Sequence, residues 1–287
     1  VNIEKTDVKK KSESLTPKQA SLLLYINCAS EHISVRQAAK YCGSYAVIRS
    51  LETKGLLKRE TARIWRNPLD NKTFEPDIPP TLNDDQEYCL EQIKLAIDGT
   101  EPRVFLLHGV TGSGKTEVYL RALAHAQTKG LNGIVMVPEL SLTPQTIERF
   151  SKRFPDEVAV LHSGLSRGEH FDQWWAIQRG AYGVVIGSRS AVFSPQPHLG
   201  LIIVDEEHEW TYKQQDRLPF YHSRDVAIKL SELTGSTVIL GSATPDVVSQ
   251  YKAISGVYSK LVLPERISNN VSDMQHSRRS MPSIQLV

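Results

Sequence analysis

Cysteine is scarce: Cys28, Cys42 and Cys89 are the three in 287 residues, and no two form a Cys-x-x-Cys pair. That excludes a disulfide framework and argues against a zinc site held by this chain, so the three read as reduced, cytoplasmic core residues. Charge of one sign is lacking as well, with 34 Lys and Arg against 32 Asp and Glu for a net charge of +2. Near-neutrality neither demands nor excludes nucleic acid, because a groove can be basic while the whole is balanced. No apolar run approaches the roughly 20 residues of a membrane-spanning helix, and no membrane partner is expected. The chain opens on Val1-Asn2-Ile3-Glu4-Lys5, neither a start methionine nor an apolar signal core, so it is expected to be cut from a longer protein. With 40% hydrophobic residues it can build one large core and one small one.

The strongest signal present is Gly109-Val110-Thr111-Gly112-Ser113-Gly114-Lys115-Thr116, a P-loop pattern between a strand-like run, Val104 to Leu107, and a helix-like run from Lys115. Glycines let the backbone turn sharply and aim its N–H groups at phosphate oxygens, and the helix N-terminus adds partial positive charge. Lys115 is expected to reach the β and γ phosphates of ATP, and Thr116 to hold Mg2+.

Residues 1–14 are polar and lysine-rich and read as a flexible lead-in with no assigned fold. Residues 15–66 carry three short helical patterns, then Leu56–Glu60 and Ala62–Arg66 as two strands flanking a wing: a winged-helix domain. Its recognition helix, Tyr45 to Lys54, either enters DNA or packs on a neighbour, and the wing with Arg59, Arg63, Trp65 and Arg66 is the more basic part. Prolines 68, 76, 79 and 80 mark 67–80 as a linker. From 81 to 264 strand and helix signals alternate, and the strands are short and nearly all apolar. That predicts an α/β domain with a parallel sheet covered by helices on both faces. Residues 265–287 read as a tail.

Leu201-Ile202-Ile203-Val204 runs into Asp205-Glu206-Glu207-His208, placing carboxylates at the carboxyl edge of a buried strand, where open α/β sheets bind ligands. Asp205 is expected to bind Mg2+ and Glu206 to activate the attacking water. His208 beside them suits a hydrogen bond relaying nucleotide state to the loop Gly241-Ser242-Ala243-Thr244-Pro245, through Ser242 and Thr244. Solvated acids and an ordinary N-cap are the bland alternatives.

Taken in order, GVTGSGKT, DEEH and GSATP resemble motifs I, II and III of superfamily 2 helicases. Val137-Pro138-Glu139-Leu140-Ser141-Leu142-Thr143-Pro144-Gln145, His162-Ser163-Gly164-Leu165 and Gly187-Ser188-Arg189-Ser190-Ala191-Val192-Phe193 are similar to segments of the bacterial replication-restart helicases within that superfamily. The resemblance implies a RecA-like ATP-binding lobe 1 and an ATP-dependent 3′-to-5′ DNA helicase that acts at stalled or repaired forks. Its implied partners are forked DNA, single-strand DNA-binding protein and the primosome proteins that load the replicative helicase. It further implies a monomer, cytoplasmic and nucleoid-associated. By position Gln86 should read adenine. The segment from Glu209 to Arg217 resembles an aromatic-rich loop that couples DNA contact to hydrolysis, with Trp210 and Tyr212 as stacking faces beside Lys213 and Arg217. Arg189 lies near DNA or nucleotide on this reading, or is a solvated loop arginine. Phe220 stands where the family carries arginine, and Trp174 and Trp175 read as lobe packing. A zinc region and the arginines of lobe 2 are expected beyond this chain, so the isolated chain should bind ATP weakly and hydrolyse it negligibly. Another superfamily 2 translocase of repair or restriction, or a non-catalytic fork-binding module, remain the alternatives.

Overall fold

The computed structural model describes residues 2–5, 15–28, 33–60, 66–69, 74–99, 103–216 and 218–267. The chain divides into two compact units, Val1–Trp65 and Arg66–Val287.

In the first unit, β1 (Asn2–Lys5), α1 (Pro17–Cys28), α2 (Val35–Cys42), α3 (Tyr45–Thr53) and β2 (Leu57–Glu60) follow one another. Local chemistry sets the helix ends. Ser34 and Gln37 form a reciprocal capping box at the start of α2, Gly43 closes it with φ of 74°, and Ser44 caps α3. Leu22, Ile26, Ala38, Ile48, Leu51 and Leu57 meet in its core. Two expectations are corrected. The lead-in is not without structure throughout, since Asn2–Lys5 pairs antiparallel with Leu57–Glu60. The expected partner for that strand, 62–66, lies mostly outside the described residues. Arg66 groups with the second unit, where its guanidinium donates to the buried Asp172 at 3.0 Å.

The second unit runs α4 (Asp84–Ile97), β3 (Val104–Gly109), α5 (Lys115–Thr128), β4 (Asn132–Met136), α6 (Pro144–Arg153), β5 (Val158–Leu161) and α7 (Arg167–Gln178). It continues with β6 (Val184–Gly187), β7 (Leu199–Asp205), β8 (Lys213–Gln214), β9 (Tyr221–His222), α8 (Ser223–Thr234), β10 (Thr237–Ser242), α9 (Val247–Ile254) and β11 (Ser259–Leu263). Seven strands form one parallel sheet in the order β11-β3-β10-β7-β4-β6-β5. Side chains of successive strand residues go to opposite faces, so β3 sends Phe105 and Leu107 to a core with α4, α5 and α6, and Leu106 to another with α7 and α8. Strands buried on both faces read as continuous apolar runs, which is why six of the seven are visible in the sequence. The seventh, β11, lies at an edge and alternates: Leu261 and Leu263 are buried, Lys260 and Val262 are not. The order puts β11 on one flank of β3, and β10 then β7 on the other.

Candidate nucleotide site

β3 ends at Gly109, and the chain turns through Gly112 and Gly114, at φ of 81° and 85°, into α5. These dihedrals lie in the left-handed region that glycine enters freely. A Cβ at Gly114 would lie 2.6 Å from Ile267 Cδ1 and would collide with the Gln86 amide. Lys115 is buried, donates to the Gly109 carbonyl at 2.8 Å, and reaches within 4.0 Å of Glu206 Oε1. Ser113 Oγ is buried with no hydrogen-bond partner among the described residues. Buried hydroxyls are ordinarily bonded, so this one is available to a polar ligand in the turn.

Gln86, expected to read adenine, lies directly against the P-loop. It is 2% exposed, its Oε1 accepts from Asn83 N–H in a capping box, and its Nε2 donates to the Ser113 carbonyl at 2.9 Å. It braces the P-loop from below.

Across the sheet, β7 delivers Asp205 and then Glu206, whose φ of 46° is left-handed without being glycine. Asp205 accepts from Tyr119 Oη at 3.0 Å. Burial and then the neighbouring Glu206 charge push its carboxyl up to about 6. Gly241 in β10 makes room for this pair, since a Cβ there would run into the Tyr119 hydroxyl. Thr116 and Asp205 line a common cleft of about 320 Å³. Among the described residues no cluster of three or more His, Cys, Asp or Glu is arranged to hold a metal ion. Thr116 and Asp205 are the pair that could hold Mg2+, an ion that commonly takes one or two protein oxygens and completes its shell with phosphate and water.

The expected relay residues are brought together. His208 Nδ1 and Ser242 Oγ lie 2.8 Å apart, Thr244 Oγ1 is 3.4 Å from His208 Nε2, and Ser242 Oγ accepts from Thr244 N–H at 3.0 Å. Beneath them is a network that the sequence did not announce. Glu207, fully buried, accepts from Arg224 at 2.7 Å, Ser249 Oγ at 2.9 Å and Asp246 N–H at 2.8 Å, while its own N–H donates to Gly241 O. Nothing local marks Arg224, one position into α8, as the partner of a carboxylate seventeen residues earlier.

The aromatic loop divides. Trp210 is 74% exposed, whereas Tyr212 is 1% exposed and donates to the Asp205 carbonyl at 2.7 Å. Tyr212 is therefore a core anchor rather than a stacking face. Arg189 donates to the Lys213 carbonyl at 3.0 Å, so it fastens this loop instead of standing free. Lys213 is exposed at the start of β8, and Arg217 lies outside the described residues. Trp210 and Arg189 share a cleft of about 460 Å³ with His162, Ser163, Ser190 and Tyr221 at the carboxyl edge of the sheet.

Fold and site together define a RecA-like P-loop NTPase lobe. The chain belongs to the family whose model is described as Type III restriction enzyme, res subunit, which matches residues 80–247. It is similar to the Replication restart protein PriA of Bacillus subtilis (strain 168), 42% identical over 303 residues, covering 100% of this chain and 37% of that protein. The protein of the same name from Chlamydia trachomatis is 47% identical over 197 residues, 69% of this chain and 26% of its own length. The chain thus spans 37% or less of these relatives. Among solved structures, RecG bound to a three-way DNA junction superposes with a TM-score of 0.50 at 23% identity, over 67% of this chain and 25% of that one, a likeness of fold.

Proposed function

We propose that the chain is the ATP-binding lobe of a DNA-dependent helicase motor of the replication-restart kind, the 3′-to-5′ activity belonging to the longer protein. One observation carries the reading: Lys115 Nζ and Glu206 Oε1 face each other at 4.0 Å, at the carboxyl ends of strands separated only by β10. Glycine turns and the buried Ser113 hydroxyl fit a triphosphate, and the Thr116 and Asp205 oxygens fit Mg2+, which would supply charge neutralisation to the phosphates. Lys115 binds the β and γ phosphates, moving from the Gly109 carbonyl. Asp205, through its carboxylate, and Thr116 would hold the ion. Glu206 positions the water, and His208 relays the state of that site to Ser242 and Thr244.

Similarity to the Bacillus subtilis PriA protein over 100% of the chain favours the restart reading over other motors of its family. DNA is the proposed track, with Trp210 stacking a base beside Lys213 and with Arg217; single-strand DNA-binding protein and primosome loading factors are the proposed partners. The first unit is proposed as a winged helix on DNA or protein. Expressed within the longer protein, Lys115→Ala should abolish ATP binding, and Glu206→Gln should keep binding while lowering DNA-stimulated hydrolysis at least about a hundredfold. Wild-type hydrolysis by both variants would refute the mechanism.

A further inference from the structure

We propose that Arg266 and Ile267 form the nucleoside wall of this site, with the Arg266 guanidinium lying on a purine base; the inference rests on the ATP reading above. Sheet order sets the direction of the ligand. Asp205 ends β7 and Glu206 follows it, on the β10 side of β3, so the terminal phosphate and its ion lie on that flank of the P-loop. The nucleoside must then extend toward the opposite flank, which belongs to β11.

After β11 the chain lies against the P-loop. Ile267 N–H donates to the Gly112 carbonyl at 2.9 Å, and Ile267 Cδ1 comes within 2.6 Å of where a Gly114 Cβ would be. Arg266 Cγ would be 4.0 Å from a Cβ at Gly112, so the aliphatic stem passes beside the turn while the residue remains exposed. Gln86 lies under the same glycine with its amide already engaged, so the bare amide edge is not what the base meets first. An exposed arginine and a half-exposed isoleucine beside a phosphate turn offer what a purine takes: a flat cationic face, an apolar edge and, among the described residues, no carboxylate paired with Arg266.

The test is calorimetric titration of the longer protein, unsubstituted or carrying each change, with Mg2+ and, in turn, ADP, ATP and inorganic tripolyphosphate. Arg266→Ala should weaken ADP and ATP about three- to tenfold, as loss of a cation–π contact does, and tripolyphosphate by less than about twofold. Arg266→Lys keeps the charge but not the planar stacking face and should lose a measurable part of that affinity, at least about twofold. Equal weakening of tripolyphosphate and ADP by Arg266→Ala, or full retention of affinity by Arg266→Lys, would make Arg266 a charge contact and overturn the inference. No change in nucleotide affinity would overturn it too. Lys115→Ala separates the levels: it should lose all three ligands. If it binds them like the unsubstituted protein, or if the unsubstituted protein binds no ADP, the ATP reading fails and takes this inference with it. Loss in Lys115→Ala with no effect of Arg266→Ala defeats the inference alone.

Discussion

The P-loop and the Asp205–His208 turn are both tight reversals at the carboxyl edge of one sheet, and they reach left-handed backbone by opposite means. In the P-loop, glycine takes the positive φ at 112 and 114, and the turn needs few side-chain bonds of its own. In the other, Glu206 takes φ of 46° against its own Cβ, and the turn is held from below by Glu207, Arg224, Ser249 and the Gly241 carbonyl. A left-handed non-glycine residue persists only when its surroundings over-determine it. One turn is therefore built to wrap around whatever fills it, and the other to hold carboxylates still.

Removing the hold should have the largest effect. Arg224→Ala leaves the fully buried Glu207 with two neutral donors and no cation. Breaking a buried pair from one side costs about 3–5 kcal/mol, and the remaining donors put the expected loss near the lower end. Urea unfolding followed through the α/β unit measures it; a loss below about 1 kcal/mol would mean that Glu206 is not held from beneath. Gly114→Ala comes next, at about 1–3 kcal/mol, because the methyl meets Ile267 and the Gln86 amide as well as an unfavourable φ.

The contrast also explains what was legible in the sequence. Glycine at 109, 112 and 114, the apolar strand before it and the helix after it are local, and so are Asp205 and Glu206 after four apolar residues. The nearness of Ser242 and Thr244 to His208 could be read because loop order follows motif order. Arg224 and Tyr119 could not be found this way. Their partners are 17 and 86 positions away, and only the parallel sheet brings them together. Tyr212 was misread for a related reason: an aromatic in a charged loop looks exposed, but its hydroxyl has the Asp205 carbonyl to bond, which permits burial. β11 and α4 escaped because Ser259-Lys260-Leu261-Val262-Leu263 neither alternates in polarity nor makes a full apolar run, and a helix rich in acids gives a weak periodic signal.

Glu206→Gly sharpens the comparison by giving the second turn the device of the first. Relief of left-handed strain is offset by the extra entropy of glycine, so stability should change by between zero and a gain of about 1 kcal/mol. Hydrolysis in the longer protein should nonetheless fall as it does for Glu206→Gln. A stability loss above about 1 kcal/mol would show that the side chain at 206, rather than the network beneath, maintains the turn.

The smallest effect is expected at Asp246, which joins the two functions of the network by capping α9 and approaching Arg224 at 3.4 Å. Burial opposes its charge, but the Val248 N–H and Arg224 prevail and hold its carboxyl below the usual range. A carboxyl lowered in the folded state contributes stability at all pH above its unfolded value of about 3.9 and loses it as pH falls through the folded value. Asparagine caps helices as well as aspartate does, so Asp246→Asn removes the charge and keeps the cap. At pH 7 it should cost under about 1 kcal/mol, as expected for a largely exposed charge. Below about pH 4 its unfolding curve should converge on that of the unsubstituted chain. If the difference between the two persists undiminished at pH 3, Asp246 acts through its shape alone, and the charge that holds the second turn belongs to Glu207 and Arg224.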